Sequence, residues 1–349
     1  MSWGDEGQVG EVRGRGLVLR LAFGAMGARV VGLATELGLP DSIGDAERTA
    51  AELAAELDLP EANLNRLLRA MAALELLTET APGRFVLAPA GAVLRTDRPD
   101  SIHSFVRMFT DSTMVRAWER LEYSVRTGRT AFDEVFGTDF FDHLKGDAEL
   151  SALFNAAMSQ GSRRTAALLP EHVDFGRFGT VTDVGGGDGT LLAAVLRAVP
   201  ALRGTVFDTA EGGAQAAATL ERAGVADRAA VAVGDFFAGV PAGADAYLLK
   251  SIVHDWDDER AASILGHCGR GLAEGGRVLI VEPVLPDTVR PDISPTLYLS
   301  DLNMLVNVGG LERTRADFEA LCTRAGLAVD RVVALPPESG FCVIEAVPA

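Results

Sequence analysis

A glycine-rich turn has the composition of a ligand-binding loop. Residues 183–190 read DVGGGDGT, follow a short β-rich run and lead directly into a helical pattern. Glycines there let the backbone turn tightly and approach a ligand without a Cβ in the way. Gly185, Gly187 and Gly189 give the spacing Gly-x-Gly-x-Gly, which departs from the Gly-x-Gly-x-x-Gly of dinucleotide sites. The turn therefore favours a ligand without a pyrophosphate.

Carboxylates follow the next two β-rich runs. Asp208 ends the first of them and can accept hydrogen bonds from both hydroxyls of a ribose. Asp235 follows the second, where it can accept from an adenine amino group, and Phe236 offers an aromatic face beside it. A glycine turn, a ribose acceptor and an adenine acceptor at three successive strand ends predict a pocket for S-adenosylmethionine.

A histidine and two glutamates form a second candidate group. His254 lies just past the fourth β-rich run, on the side of the predicted cofactor, and Glu282 and Glu312 can converge on the same edge. A neutral imidazole within hydrogen-bond reach can take the proton of a phenol, whose pKa is near 10. The carboxylates would orient the imidazole and stabilise its cation. Taken separately, each glutamate is explained equally well as half of a salt bridge.

Neighbouring polar residues have simpler interpretations. Asp257 and Asp258 are predicted to cap the helix that follows and to complement its dipole rather than to bind a metal. Because a positioned histidine can remove the proton unaided, the sequence predicts no metal. The remaining histidines are interpreted as structural or solvated: His103, His143, His172 and His267.

The order of elements predicts how these residues are positioned. After Pro170, β-rich runs alternate with helical patterns, which is typical of parallel strands joined by right-handed crossovers. The runs are 181–184, 205–207, 229–233, 246–249, 278–281 and 329–334. We therefore expect an α/β fold with a doubly wound, Rossmann-like sheet.

The N-terminal part has a different pattern. Helical patterns at 17–37, 49–57 and 61–77 precede an expected hairpin at 83–94, an outline similar to a winged helix. A DNA-binding regulator is the alternative that this outline raises. Residues 1–100 carry more acidic than basic side chains, and the expected reading helix has only Arg66 and Arg69 as cations. These observations favour a mostly helical packing or dimerisation module.

Residues 101–170 read as helical, with a stripe of aromatic and methionine side chains. Such a stripe is more often core than binding site. Three apolar residues are nevertheless predicted to line a substrate pocket: Phe154, Met158 and Met304. Phe105 and Trp118 are further candidates. At roughly 100–200 residues per domain, the length predicts two domains, placed at residues 1–165 and 166–349.

The composition limits the classes of partner. The 349 residues include 49 acidic and 32 basic ones, a formal net charge of -17, which repels phosphate backbones and anionic membranes. We expect neither a nucleic acid nor a membrane partner. The three cysteines form no Cys-x-x-Cys pair and predict a cytoplasmic protein. No charge-free apolar stretch is long enough to span a membrane.

Taken in order, these segments resemble the class I S-adenosylmethionine-dependent O-methyltransferases of the plant caffeate type and their bacterial relatives in secondary metabolism. The resemblance covers nearly the whole chain. It rests on residues 183–189, 207–208, 234–237, 249–256, 281–283 and 310–314. It implies cofactor contacts from Asp183, Gly185, Gly187, Asp208, Asp235, Phe236, Lys250 and Trp256.

The resemblance also implies roles for the second group and for the N-terminal module. His254 would be the general base, flanked by Glu282 and Glu312. The N-terminal module would form an intertwined homodimer and help to close the partner's substrate pocket. One departure concerns the loop after Asp208, where the family usually has Leu-Pro and this chain has Thr209-Ala210.

The expected activity is methylation of a hydroxyl on an aromatic natural-product intermediate. Within the same fold, a relative could bind the cofactor and perform hydroxylation or decarboxylation, or methylate nitrogen or carbon. A ligand-sensing regulator would not explain His254, Glu282 and Glu312 together. A nicotinamide dehydrogenase would explain the sheet but not the glycine spacing.

Overall fold

A computed structural model describes residues 14–337 and 339–349, which form two compact units, one up to Ser112 and one from Thr113. The helices of the first unit are α1 (Gly14–Ala22), α2 (Gly24–Glu36), α3 (Leu39–Ile43), α4 (Ala50–Leu57), α5 (Glu61–Ala73), α6 (Pro89–Ala92) and α7 (His103–Thr110). Its strands are β1 (Arg48–Thr49), β2 (Leu77–Ala81) and β3 (Arg84–Leu87), with β3 in the middle of a small antiparallel sheet.

The first unit has the predicted order of helices followed by a hairpin, with shifted boundaries. Helix α4 begins with a capping box, in which Thr49 and Glu52 satisfy each other's backbone N–H groups. Helix α5 ends at Ala73 rather than at residue 77, because Glu75 takes a positive φ of 63° and turns the chain. The predicted hairpin at 83–94 is therefore wrong in position: the hairpin pairs β2 with β3, and α6 follows it.

The second unit begins with helices. They are α8 (Ser112–Trp118, which begins one residue before the unit), α9 (Leu121–Thr127), α10 (Ala131–Phe136), α11 (Phe140–Gly146) and α12 (Ala148–His172). The region 101–170 is helical as predicted. Because α12 packs on the helix that follows the glycine turn, these helices belong to the same compact unit as the sheet. The boundary at 165/166 between a dimerisation and substrate-pocket domain and a cofactor-binding domain stays a prediction.

The rest of the second unit alternates strands and helices. The strands are β4 (Thr180–Val184), β5 (Arg203–Asp208), β6 (Ala229–Val233), β7 (Ala244–Lys250), β8 (Leu272–Glu282), β9 (Val284–Leu285), β10 (Arg313–Thr314), β11 (Leu327–Ala334) and β12 (Cys342–Pro348). The helices are α13 (Thr190–Ala198), α14 (Ala216–Arg222), α15 (Asp258–Gly271), α16 (Pro295–Asn303) and α17 (Arg315–Arg324). A 3₁₀ turn spans Val253–Asp255, and a π-helix spans Met304–Val308.

Seven strands form the central sheet in the order β11-β12-β8-β7-β4-β5-β6. Neighbours from β8 to β6 are parallel, and β12 is antiparallel to both β8 and β11. The predicted α/β class with a Rossmann-like sheet is confirmed, although the sequence analysis missed β12. Both faces are covered, since Leu248 packs in one buried cluster while Tyr247 and Leu249 pack in the other.

In the described ranges, no single helix combines the length and the hydropathy needed to cross a membrane. Helices α1 and α2 meet that criterion only when counted together, and they are bent by 47° at Phe23.

Candidate active site

The carboxyl ends of neighbouring parallel strands bring the candidate residues to one edge of the sheet. Asp183 lies near the end of β4, Asp208 and Lys250 end β5 and β7, and Glu282 ends β8. These four strands are adjacent in the order β8-β7-β4-β5. Ligands of open α/β sheets bind at this edge, so the topology alone gathers residues that lie far apart in the sequence.

The turn after β4 keeps its backbone open because its glycines take conformations that other residues avoid. Gly185 has a φ of +67°, and a Cβ built on it would overlap the side chain of Ile252. The Gly185 N–H donates to the carbonyl of Phe207 at 2.8 Å, which ties the turn to β5. Close approach of Ile252 and a positive φ together require glycine at this position.

Asp208 holds the turn as well as facing it. Its Oδ2 accepts from the N–H of Gly187 at 2.8 Å, and its Oδ1 accepts from the N–H of Thr209 at 2.7 Å. Each oxygen keeps a lone pair for a further donor. Thr209 shapes the next loop, because its Oγ1 accepts from the N–H of Gly212 at 3.0 Å. A leucine, which the related family usually has there, could not make this contact.

The charge around the turn suits a cationic ligand. Asp183 is buried, and its Oδ2 has no hydrogen-bond partner among the described residues. Burial and the neighbouring Asp208 raise the pKa of Asp183 to about 8. Burial also raises the pKa of Asp208. A cation at this place would favour the charged form of both carboxyl groups.

Aromatic side chains border this region. Trp256 is 9% exposed and packs edge-on against Phe237, with ring centroids 4.8 Å apart. Phe236 meets the same indole at 6.1 Å and lies next to Gly185. Asp235 is exposed, and its Oδ1 accepts from the N–H of Phe237 at 2.8 Å. Phe236 and Trp256 thus lie together, with Phe236 beside the glycine turn, and their contact with the cofactor stays a prediction.

Lys250 lies among acidic groups. Its Nζ donates to Ser251 Oγ at 2.9 Å and lies 4.7 Å from the centroid of the Phe341 ring. Burial lowers the pKa of Lys250 to about 8, although Glu282, Asp183 and Asp255 act in the opposite direction. The Lys250 ammonium therefore interacts with Asp183 of the glycine turn and also with the carboxylates near His254.

Glu282 holds the turn that carries His254. Its Oε1 accepts from the backbone N–H groups of Ile252, Val253 and His254, at 3.0, 2.9 and 3.4 Å. Its Oε2 lies 3.6 Å from His254 Nδ1. The side chain is fully buried, and burial raises its pKa. Glu282 thus positions both the backbone and the imidazole of His254.

Glu312 reaches the imidazole directly. The Nδ1–H of His254 donates to Glu312 Oε1 at 3.0 Å, and Ser300 Oγ donates to the same oxygen at 2.8 Å. The two glutamates converge because β9, just after Glu282, pairs in parallel with β10, just after Glu312. Because a carboxylate only accepts, this contact assigns the proton to Nδ1 and leaves Nε2 as the free ring nitrogen of a neutral imidazole.

The carboxylates strongly favour the charged imidazole. Burial opposes the cation, but Glu282, Asp255 and Glu312 outweigh it and raise the pKa of His254 to about 10. Asp255 lies on the other side of the ring, with its Oδ1 3.6 Å from Nε2. Burial raises the pKa of Asp255 to about 7, against the effect of His254. The group therefore holds a proton at neutral pH when no further cation is bound.

Phe154, Met158 and Met304, which are predicted to contact substrate, lie in the second unit, whereas the further candidate Phe105 lies in α7 of the first. Phe154 packs edge-on against Phe141 at 6.3 Å, and Phe141 in turn lies 5.2 Å from Trp256. Met158 lies one turn further along α12 and is half-buried. Met304 is buried in the π-helix, which contacts the His254 turn. Single-turn π segments occur frequently at functional sites.

The sequence analysis missed three contributors to this site. They are Asp255 beside Nε2, Ser300 beside Glu312, and Arg313, a fully buried arginine. The sequence carried a usable signal for two of them, since Asp255 directly follows His254 and Arg313 directly follows Glu312, each within a segment already singled out. Asp257 caps α15 as predicted, with its Oδ1 accepting from the N–H of Arg260 at 2.9 Å.

Coordination of a cation by this group can also be considered. One ligand atom from each of His254, Glu282 and Glu312 lies within 4.8 Å of the others. In the structure His254 Nδ1 and Glu312 Oε1 are joined by a hydrogen bond, while Oε2 of each glutamate has no hydrogen-bond partner among the described residues. Metal independence stays a prediction to be tested.

Comparison with known proteins identifies two family matches. Residues 118–328 match an O-methyltransferase domain, and residues 19–97 match an O-methyltransferase dimerisation domain. The O-demethylpuromycin-O-methyltransferase of Streptomyces alboniger is 50% identical over 333 residues, which cover 95% of this chain and 88% of that protein.

Solved structures agree with the sequence matches. The LaPhzM crystal structure has a TM-score of 0.90 and 38% identity, over 96% of this chain and 99% of that one. NcsB1, an O-methyltransferase from neocarzinostatin biosynthesis, has a TM-score of 0.78 and 33% identity, over 92% and 96% of the two chains. The NcsB1 structure contains S-adenosylmethionine and 2-hydroxy-5-methyl naphthoic acid.

Proposed function

The chain belongs to the O-methyltransferases that join a dimerisation domain to a methyltransferase domain, and we propose that it methylates a hydroxyl of an aromatic natural product with His254 as general base. The observation that carries this proposal is the imidazole held at Nδ1 by Glu312, with Glu282 behind it. In the neutral imidazole this arrangement would leave Nε2 as the nitrogen that accepts a proton from the substrate.

Proton removal is the chemical task of this chain's residues. A phenol has a pKa near 10 and is a poor nucleophile at neutral pH. Nε2 of His254 takes the hydroxyl proton, while Glu312 and Glu282 stabilise the resulting imidazolium. When bound, S-adenosylmethionine supplies an electrophilic methyl group on a sulfonium. The remaining contribution is to hold the reactants in line within a water-poor site.

The charges of the glycine turn support S-adenosylmethionine as the cofactor. The open backbone at Gly185 and Gly187, the free lone pairs of Asp208 and the unpartnered oxygen of Asp183 would hold a cationic nucleoside. The spacing Gly-x-Gly-x-Gly of the turn argues against a nicotinamide dinucleotide, whose sites use Gly-x-Gly-x-x-Gly. Asp235, Phe236, Lys250 and Trp256 complete the proposed cofactor residues.

The relatives support an aromatic substrate from secondary metabolism. The name of the Streptomyces alboniger relative refers to puromycin, and NcsB1 was solved with a naphthoic acid. In this chain, Phe154, Met158 and Met304 would supply the apolar walls for such a ring. N-methylation, C-methylation and non-methylating chemistry remain the alternatives for the same site.

The proposal extends to assembly and location. The match of residues 19–97 to a dimerisation domain supports a homodimer. Residues 1–165 would then form the dimerisation and substrate-pocket part, and residues 166–349 the cofactor-binding part. Three free cysteines, Cys268, Cys322 and Cys342, support a cytoplasmic location.

The experiment measures methyl transfer from labelled S-adenosylmethionine to a panel of phenolic substrates by mass gain. His254→Ala should bind the cofactor as the wild type does but turn over roughly 10²–10⁴-fold more slowly, the usual contribution of a positioned base. His172→Ala, on the exposed end of α12, is the control and should be fully active. Near-normal turnover by His254→Ala would contradict the proposal.

A further inference from the structure

Among the residues that the structure describes, Arg313 is the largest side chain that is completely buried. It is 1% exposed, and its guanidinium makes every hydrogen bond to the His254 turn and the start of α15. Nη1 donates to the carbonyl of Val253 at 3.0 Å, and Nη2 donates to that of Trp256 at 2.9 Å. Nε and Nη2 both donate to Asp258 Oδ1, at 3.1 and 2.9 Å.

These contacts bracket His254 on both sides. Val253 precedes the histidine and Trp256 follows it by two residues, so one rigid guanidinium spans the whole turn. The N–H of Leu311 donates to the carbonyl of His254 itself at 2.9 Å. Gly310 lies so close to this backbone that a Cβ there would overlap it. The segment from Gly310 to Arg313 therefore holds the backbone of the turn.

Glu312 belongs to the same segment. The carboxylate that accepts from His254 Nδ1 is the chain neighbour of the guanidinium that fixes the His254 backbone. The segment from Gly310 to Arg313 thus contacts both the side chain and the backbone of the histidine turn. A planar, always charged fork can hold two carbonyls and a carboxylate at once, which the single ammonium of a lysine cannot reproduce.

We propose that Arg313, with Asp258, is a positioning pair that sets the distance of the His254 imidazole from Glu312. This inference rests on the proposed role of His254. Loss of the guanidinium removes a hydrogen-bond donor from each of the carbonyls of Val253 and Trp256 and lets the turn move away from Glu312. Displacements of about 1 Å at a reacting group can cost on the order of 10²-fold in rate.

The test compares full-length variants by turnover number and by cofactor affinity in calorimetry. Arg313→Ala should lower kcat by about 10²-fold and should weaken cofactor binding much less, because the glycine turn is held separately by Asp208 and Phe207 and only the backbone of Trp256 loses a contact. Arg313→Lys should recover part of the rate, and added guanidinium should partly rescue Arg313→Ala. Arg315→Ala is the matched control, since Arg315 is exposed and pairs with Glu319, and should behave as wild type.

A second pair of variants tests the partner. The Asp258 side chain is half-exposed, so Asp258→Ala should fold and lower kcat in the same direction but less. Glu259→Ala removes another carboxylate from the first turn of α15 and is its control. The pH profile of the rate is a second readout, because loss of folded protein lowers the rate without shifting the profile along the pH axis. Because the carboxylates raise the pKa of His254, a displaced imidazole should titrate at lower pH.

The outcomes separate this inference from the proposed function. A folded Arg313→Ala enzyme with wild-type kcat and pH profile would overturn it, as would a rate loss that merely follows the unfolded fraction. If Arg313→Ala does not fold, unchanged activity in both Arg313→Lys and Asp258→Ala overturns it instead. If the wild type methylates no hydroxyl, the proposed function fails. In that case the NMR resonance of the His254 imidazole in the cofactor-free variants tests the positioning inference by itself. A resonance that is unshifted from that of the wild type contradicts the inference.

Discussion

At the scale of single residues, the site is governed by an excess of buried carboxylate over cation. Glu282, Glu312 and Asp255 surround one imidazole, and His254 is more basic than an ordinary histidine as a result. A base must be neutral before it can accept a proton. The same carboxylates that would stabilise the imidazolium after proton transfer therefore oppose the reactive form beforehand. A bound cation such as a sulfonium would shift this balance, since like charges lower the pKa of the imidazole.

The pH dependence of the reaction tests this balance. Neutral His254 forms as pH rises through its pKa, so kcat/KM should increase with pH, with the ascending limb above the ordinary histidine value of about 6.5. Glu312→Gln removes a carboxylate that favours the cation. The ascending limb of the pH profile of Glu312→Gln should move to lower pH, and the maximal rate of this variant should be reduced. Rates measured from about pH 6 to about pH 10 check both effects.

Glu319→Gln provides the control for that measurement, because Glu319 is an exposed carboxylate on α17 that pairs with Arg315. Its profile should match the wild type. A Glu312→Gln profile that stays in place or moves to higher pH would show that Glu312 does not set the basicity of His254.

Metal independence is also a question of individual residues. The Nδ1 of His254 is hydrogen-bonded to Glu312, and its Nε2 is proposed to act on the hydroxyl without a metal. Turnover should therefore be unchanged after EDTA treatment and dialysis. Activity that disappears with EDTA and returns with magnesium would reverse this expectation and assign a cation to the three ligand atoms.

At the scale of elements, two short structures decide where the chemistry lies. The glycine turn after β4 is tied to β5 through Asp208, and the His254 turn after β7 is tied to β8 through Glu282. The parallel ladder of β9 and β10 then carries Glu312 to the imidazole. Each functional loop is thus anchored by a side chain from the end of a neighbouring strand. This arrangement explains why the site can be rigid although it is built from loops.

The glycine turn makes a prediction of its own. Gly185→Ala should abolish most cofactor binding, because the new Cβ would push against Ile252 at a positive φ and deform the loop. Gly224→Ala is a matched control: Gly224 has a φ of +71°, but a Cβ there meets nothing within 4 Å. Both variants should lose about 1–2 kcal/mol from backbone strain. Calorimetric titration with S-adenosylmethionine distinguishes them, and equal affinity in both would show that the turn is not the cofactor loop.

At the scale of the whole molecule, the N-terminal helices carry an apolar surface that no other part of the described chain covers. Helices α1 and α2, with the residue between them, expose large side chains, among them Leu21, Phe23 and Met26, at 70%, 57% and 63%. The matched dimerisation domain, residues 19–97, includes these positions. Exposed apolar surface of this kind marks an interface. Burial against a second copy, in a symmetric homodimer, is the association that the proposed function includes.

Sedimentation checks this association. The wild type should sediment as a homodimer at micromolar concentration, and the double substitution of Leu21 and Met26 by Glu should shift it toward the monomer, because charges cannot be buried unpaired at an interface. Val125→Glu is the control, since Val125 is 65% exposed but lies outside the matched domain. A wild-type monomer, or a double variant that remains dimeric, would argue against α1 and α2 as the interface.

Local patterns in the sequence determined the class of protein. Alternating β-rich and helical runs predicted the sheet, and the ordered motifs predicted the family, because these features depend on residues that are close together in the chain. Some boundaries were wrong for the same reason. Leu74, Leu76 and Leu77 continue the apolar pattern of α5 into β2, and only the positive φ at Glu75 ends the helix.

Only the tertiary structure shows how the residues of the site are arranged. Arg313 reaches the carbonyl of Val253 across 60 residues of sequence, and Glu312 reaches His254 across 58. The spacing of apolar and polar residues in the sequence does not predict such contacts, since they arise when adjacent parallel strands place their carboxyl ends together. The basicity of His254 follows from three carboxylates at once and could not be assigned from any one of them. Sequence specified the chemical groups, whereas packing set their distances, and charge interactions depend on distance and burial.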